Sequence, residues 1–114
     1  MRYDEDRLRD IIDAIEAIQL KVDKDRSVFD SDHMIRVWCL HHITIIGEAA
    51  SGISQDIRDR YPSTPWKDII GMRNAIIHGY FHVDWDQVWN VVQNDLAPLR
   101  KDIESILKSE GWEA

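Results

Sequence analysis

The sequence predicts an all-α protein, an up-and-down four-helix bundle whose last helix is bent or carries a short extension after Pro98. Three observations predict this. Apolar residues recur at three- and four-residue steps through four separate stretches. No two stretches alternate apolar and polar side chains as a strand pair would. The connections are short, and neither a repeat nor a low-complexity tract interrupts them, so residues 1–114 read as one domain.

In the first stretch Leu8, Ile11, Ile12, Ile15, Ile18 and Val22 form a stripe opposite Arg7, Arg9, Asp10, Asp13, Glu16 and Gln19. It predicts a helix over about residues 5–24, with Asp4 as N-cap. The polar run Asp23 to Ser31 is a connection, and Asp30 or Ser31 caps a second helix from about Asp32 to Gly52. That helix is apolar around more than half its circumference, through Met34, Ile35, Trp38, Cys39, Ile45, Ile46, Ala49 and Ile53 with Val37, Leu40 and Ile43 beside them. Such a helix has neighbours on more than one side, either within the chain or from a second one. Gly47, Ala49 and Ala50 are small enough to let another helix come close. A turn at Tyr61-Pro62-Ser63 leads to Thr64 as N-cap and Pro65 at the first helical position. Trp66, Ile69, Ile70, Met72 and Ile76 carry the third helix, which Gly79 should stop close to His78. Asp84 and Gln87 form a capping box for the fourth. Its stripe runs from Trp85, Val88, Trp89 and Val92 to Leu107, and Pro98 removes one intrahelical bond on the way.

Composition narrows the function classes. With 44% hydrophobic and 31% charged residues among 114, a disordered or fibrous chain is excluded. No apolar run approaches the roughly 20 residues of a membrane span. The charged start, Met1 to Asp6, is unlike a secretory signal, and a lone Cys39 fits a reducing cytoplasm, so a cytoplasmic location is expected. The net charge of −7 leaves no broad basic surface for non-specific polyanion binding.

The chemistry concentrates in Arg73-Asn74-Ala75-Ile76-Ile77-His78-Gly79-Tyr80. At about 100° per residue Arg73 and Tyr80 share a helix face, His78 lies well off it, and Asn74 neighbours His78. If Gly79 ends the helix at His78, Tyr80 can fold back and the three groups can converge. Arginine grips a phosphodiester bidentately, histidine moves a proton near neutrality, and a tyrosine hydroxyl donates a hydrogen bond. The same residues could instead cap carbonyls and oppose the helix macrodipole.

The string Arg73-x4-His78-x-Tyr80 resembles the signature of HepT-like proteins in the HEPN superfamily. Ile45-Ile46-Gly47-Glu48-Ala49-Ala50, Tyr61-Pro62, Pro65-Trp66-Lys67-Asp68-Ile69-Ile70-Gly71-Met72, Asp84 and Trp89 resemble the family's other blocks, in order, over roughly Asp4 to Leu107. Trp38 to His42 is the least family-like stretch. The resemblance implies a homodimer with both motifs facing a shared cleft, and a metal-independent endoribonuclease without cofactor. It implies the toxin of a toxin–antitoxin pair whose antitoxin, the minimal nucleotidyltransferase MntA, transfers AMP to the motif tyrosine, here Tyr80. Arg73 would hold the phosphate. His78 would act as general base or acid on an RNA that supplies its own 2′-hydroxyl nucleophile. Asn74 and Glu48 are supporting residues, the latter by pairing with Arg73 or orienting His78. A different reading makes the chain a non-catalytic partner subunit of a nucleotidyltransferase, which would not need all three of Arg73, His78 and Tyr80. A generic interaction bundle leaves the trio unexplained.

Other residues invite weaker readings. His78 and His82 have metal-ligand spacing, but Gly79 between them should break the helix and no third ligand is evident. Capping explains Asp84 better than an acidic metal pair with Asp86. Cys39 reads as core rather than nucleophile. Trp38, Trp85 and Trp89 read as core rather than base-stacking residues. His41 and His42 suit a partly buried or interface position, and Trp112 a partner contact.

Overall fold

A computed structural model describes residues 3–78 and 82–112. Four helical arms run up and down: α1 (Asp4–Lys21), α3 (His33–Ser51), α5 (Trp66–Ile76), and a composite of α6 (Trp85–Asn90), a π-helical turn (Val91–Asp95) and α7 (Leu96–Ser109). Two short helices, α2 (Arg26–Ser31) and α4 (Gln55–Arg60), occupy stretches that the periodicity assigns to no helix. Each is nucleated locally and held by one apolar anchor. Asp25 accepts the Ser27 N–H and Phe29 is buried in α2, while Ser54 accepts the Ile57 N–H and Ile57 is buried in α4.

The core is made by the expected stripes. Leu8, Ile11, Ile15 and Ile18 of α1 meet Cys39, Ile43, Ile46 and Ala50 of α3, and Leu99, Ile103 and Ile106 of α7 close the other side. Each fully buried Ile or Leu contributes about 1.5–3 kcal/mol. Gly47 marks the close approach of α3 to α5. A Cβ there would lie 3.5 Å and 3.6 Å from the carbonyl oxygens of Ile69 and Ile70.

Several ends differ from expectation. The N-cap of α1 is Tyr3. Asp4 instead accepts the Ser54 N–H at 2.9 Å and the Ser54 hydroxyl at 2.6 Å, tying α1 to the start of α4. Asp32, not Asp30 or Ser31, caps α3 through the N–H groups of Met34 and Ile35. Pro65, not Thr64, occupies the N-cap of α5, and Thr64 is buried. Asp84 caps α6 through Gln87 N–H, but its own N–H goes to the Ile76 carbonyl, so the reciprocal half of the box is absent. The break in the last arm falls just before Pro98. Leu96 N–H reaches back to the Val91 carbonyl, and this widened turn contains Asn94, whose carbonyl the Pro98 ring would meet in a regular helix.

The apolar stripe of α3 is wider than the core that covers it. Met34 (74% exposed), Val37 (41%) and Trp38 (37%) face outward, against the expectation that Trp38 is core. The Trp38 indole N–H donates to the Ala17 carbonyl at 2.8 Å. Trp89 packs on Phe29 with ring centroids 5.2 Å apart, while Trp85 is half-buried. Trp112 needs no partner to account for it. Gly111 takes φ +75°, Gly111 N–H bonds the Lys108 carbonyl, and Trp112 N–H bonds that of Leu107. This is a Schellman termination whose following residue packs back on the core.

Candidate functional site

The strand-like residues Ile77 and Val83 decide the local structure of the motif. Helix α5 ends at Ile76 rather than His78. Ile77 turns extended (φ −100°, ψ 118°) and forms an antiparallel bridge with Val83. Both side chains are partly buried against the core. His78 N–H donates to the His82 carbonyl at 2.7 Å, and Asp84 N–H to the Ile76 carbonyl at 2.9 Å. Ile77 and His78 are therefore pinned to His82 and Val83 as a short two-stranded stem. Cross-strand burial of two β-branched side chains outcompetes one more helical turn.

This corrects the helical placement of His78. The residue stands in the stem, exposed, and the one-turn relation to Asn74 that a continuous helix would give is lost. No hydrogen bond joins Asn74 to His78 among the described residues. Arg73 lies in the last turn of α5 with Asn74, both exposed. Gly79, expected as the helix stop, and Tyr80, expected as the modified residue, lie outside the described residues. Glu48 is exposed on α3 and forms no ion pair with Arg73. The reason is register. Gly47 is level with Ile69 and Ile70 in an antiparallel pair, so Glu48 lies toward the start of α5, and Arg73 toward its end.

The arginines divide sharply. Arg9 pairs with Glu5, Arg26 with Asp30 and Asp86, Arg60 with Asp56 and Glu110, and Arg100 with Glu16 and Glu104. Arg58 donates to the carbonyls of Ala50 and Ser51, Arg36 to those of Phe29 and Asp30. Arg7 lies half-buried, its guanidinium against Gly52. Among the described residues Arg73 is the exposed arginine whose guanidinium no carboxylate or carbonyl engages. No other described residue uses it.

The remaining candidates fall into place. Asp84 is a cap and Asp86 pairs with Arg26, so the two do not act together. Cys39 is buried, and burial pushes its thiol up to about 11, far from a nucleophile's range. His41 is exposed; His42 is half-buried, with Nδ1 2.8 Å from the Trp38 carbonyl and its ring 4.3 Å from the Trp38 ring. No group of three or more His, Cys, Asp or Glu among the described residues is arranged around a metal position. An open groove of about 600 Å³ between α5 and the last arm has an apolar floor including Met72, Val91 and Leu99, but Asp68, Asp95 and Asp102 line it.

All five histidines lie on the first part of α3 (His33, His41, His42) or in the loop after α5 (His78, His82). Because α3 and α5 are antiparallel, the start of α3 and the motif loop share one end of the bundle. His33 and Arg36 meet Trp85, the first residue of α6, at that end. Sequence reading attached no role to His33 or Arg36. Their i, i+3 spacing at a helix start is the signal that was available.

Comparison with known proteins gives one consistent result. A family model described as ribonuclease HepT-like matches residues 11–106, a span that includes Arg73 and His78. The chain is 36% identical over 100 residues to a Methanocaldococcus jannaschii protein named "Putative RNase MJ1380", covering 87% of this chain and 92% of that one. It is 32% identical over 111 residues to "Probable ribonuclease HepT" of Thermococcus cleftensis, covering 94% and 98%. It is 32% identical over 82 residues to "Putative RNase TTE0752" of Caldanaerobacter subterraneus, covering 72% and 73%. No solved structure matches.

Proposed function

Since the chain belongs to the HepT-like ribonuclease family, we propose that it is a metal-independent endoribonuclease, the toxin of a pair with a nucleotidyltransferase antitoxin. The observation that carries the reading is the uncommitted, exposed Arg73 guanidinium on a chain that ties up most of its other arginines. An exposed arginine without a carboxylate partner, five residues before an exposed histidine, suits recognition of a phosphodiester.

In this reading Arg73 binds the phosphate and stabilises charge that develops on its oxygens. His78 takes the proton of the RNA 2′-hydroxyl as that oxygen attacks phosphorus. The bond to the 5′-oxygen breaks, and the partner subunit's His78 returns a proton to the leaving oxygen. The products are a cyclic phosphate and a free 5′-hydroxyl, with no water or metal consumed. The homodimer this requires is supported by the outward face of Met34, Val37 and Trp38, whose spacing makes a single stripe along α3. Inhibition follows if the antitoxin forms an ester between the Tyr80 oxygen and the α-phosphorus of ATP, releasing pyrophosphate. The added anion would exclude RNA by bulk and repulsion.

The test is RNA cleavage in EDTA by the parent and by His78→Ala, with growth measured on expression. Cleavage by the parent, at least about a hundredfold slower in His78→Ala, supports the reading. Equal rates overturn it. Growth arrest relieved by co-expressed nucleotidyltransferase supports the toxin role, and absence of cleavage and arrest favours a non-catalytic partner subunit.

A further inference from the structure

Two Arg–Trp stacks stand side by side at the motif end, and they differ in charge balance. Arg26 lies over the Trp89 ring, 5.9 Å from its centroid, and both Asp30 and Asp86 neutralise it. Trp89 in turn packs on Phe29. That stack is structural. Arg36 lies over the Trp85 ring, 5.7 Å from its centroid, and among the described residues its hydrogen-bond partners are the Phe29 carbonyl at 3.0 Å, the Asp30 carbonyl at 2.5 Å and His33 Nδ1 at 3.4 Å, with no carboxylate among them. His33 stands edge-on to the same Trp85 ring at 6.3 Å.

None of the neighbouring carboxylates forms an ion pair with Arg36 among the described residues. Asp32 and Asp84 are occupied as caps of α3 and α6, and Asp30 and Asp86 are occupied by Arg26. Arg36 therefore has no ion-pair partner among the described residues, and two carbonyls hold its guanidinium in one orientation. Trp85 follows directly on Asp84, whose N–H is tied to the Ile76 carbonyl, and Val83 is bridged to Ile77. The indole is thus fixed to the stem that carries His78. A half-buried indole with a fixed cation over its ring pairs a π-surface with a positive charge, the elements that hold a nucleobase and its phosphate.

From this we propose that Trp85, Arg36 and His33 form a subsite for a nucleotide flanking the scissile phosphate, with the base on Trp85 and its phosphate on Arg36 and His33. The proposal rests on the ribonuclease reading and adds to it where the RNA strand runs: from Arg73 and His78 across the loop stem to the start of α6. The subsite binds and positions; it takes no part in proton transfer. On an acidic chain it supplies a second local cationic contact, so affinity should grow with strand length rather than with general basicity.

The test uses fluorescein-labelled 2′-O-methyl oligouridylates, which lack the nucleophile, as a dinucleotide and as an octanucleotide. Fluorescence anisotropy with the full chain should show the octanucleotide binding more tightly. Trp85→Leu and Arg36→Gln should each weaken the octanucleotide about tenfold and leave the dinucleotide unchanged. Trp85→Phe should recover most of the loss. Because Arg36 also holds α2, melting temperatures are compared, and His33→Ala serves as a variant at an exposed position expected to weaken only the octanucleotide. In cleavage of an unmodified octanucleotide, Trp85→Leu should raise KM and leave kcat unaltered. An octanucleotide affinity unchanged in Trp85→Leu and His33→Ala overturns the subsite, whatever the outcome for His78→Ala. If His78→Ala cleaves as the parent does while the octanucleotide pattern holds, the catalytic assignment fails and the nucleotide subsite stands. Failure of both oligonucleotides to bind the parent overturns both.

Discussion

The two ends of the bundle use the same residue types for opposite purposes. At one end, where α1 begins and α7 finishes, charges close on each other. Asp4 holds Ser54, and Arg60 joins Asp56 to Glu110, which also accepts the Tyr61 hydroxyl at 2.5 Å. Arg9 reaches Glu5 and the Trp112 carbonyl. At the other end, among the described residues, neither Arg73 nor Arg36 has a carboxylate partner, and His78 and His82 stand exposed in the stem. A chain with net charge −7 uses part of its acidic surplus to fasten the start of α1 and the end of α7, and leaves a few described arginines without carboxylate partners where an anion could be met. The lesson is that the total charge describes the first end and misleads about the second.

The comparison predicts a separation of effects, largest first. His78→Ala and Arg73→Ala should each reduce cleavage by roughly a hundredfold or more while the melting temperature stays within a few degrees of the parent, since neither side chain holds another residue. Joint loss of activity and stability would place both residues in the structural set. In the core, Ile43→Ala should cost about 2–5 kcal/mol in denaturant unfolding, because Ile43 is fully buried. Gly47→Leu should cost about 1–3 kcal/mol by forcing α3 from the α5 carbonyls, whereas Gly47→Ala should be tolerated, its Cβ making ordinary contact.

The closed end should respond to acid. Hydrogen bonds from Arg60 and Tyr61 hold the Glu110 carboxyl below its usual value. The stability this contributes is present above the unfolded carboxylate range and is lost as pH falls through the depressed folded value. Glu110→Gln should flatten that part of a melting-temperature profile and leave the cleavage rate per folded molecule unchanged. Least consequential is Cys39, whose thiol, pushed up to about 11, should alkylate at pH 8 at least roughly a hundredfold more slowly than in the unfolded chain. Fast labelling of the native protein would show that α3 opens at that level.

What the sequence made legible follows from range. The stripes of α1, α3, α5 and the last arm are local and periodic, so the bundle and most of its core could be read directly. The short helices α2 and α4 could not, because each depends on one cap and one buried residue rather than on a repeat. The end of α5 was misjudged because Gly79 suggested a stop at His78, while the bridge from Ile77 to Val83 depends on burial that no local pattern records. Trp112 was readable in principle from Gly111 followed by an apolar residue, the pattern of a Schellman ending. At the site, the residue types of the Arg73–His78 motif were visible. Which arginines were spoken for was not: Arg60 and Glu110 lie fifty residues apart, and Arg26 and Asp86 sixty. Freedom of a side chain is a tertiary property.

The most direct test of this division is the initial rate of RNA cleavage in EDTA by Arg73→Ala, compared with Arg60→Ala at equal folded fraction. The predicted result is loss of roughly a hundredfold or more in Arg73→Ala and a parental rate in Arg60→Ala. Parental cleavage by Arg73→Ala would contradict the account, for the one exposed arginine that the described structure leaves unengaged would then have no part in the chemistry.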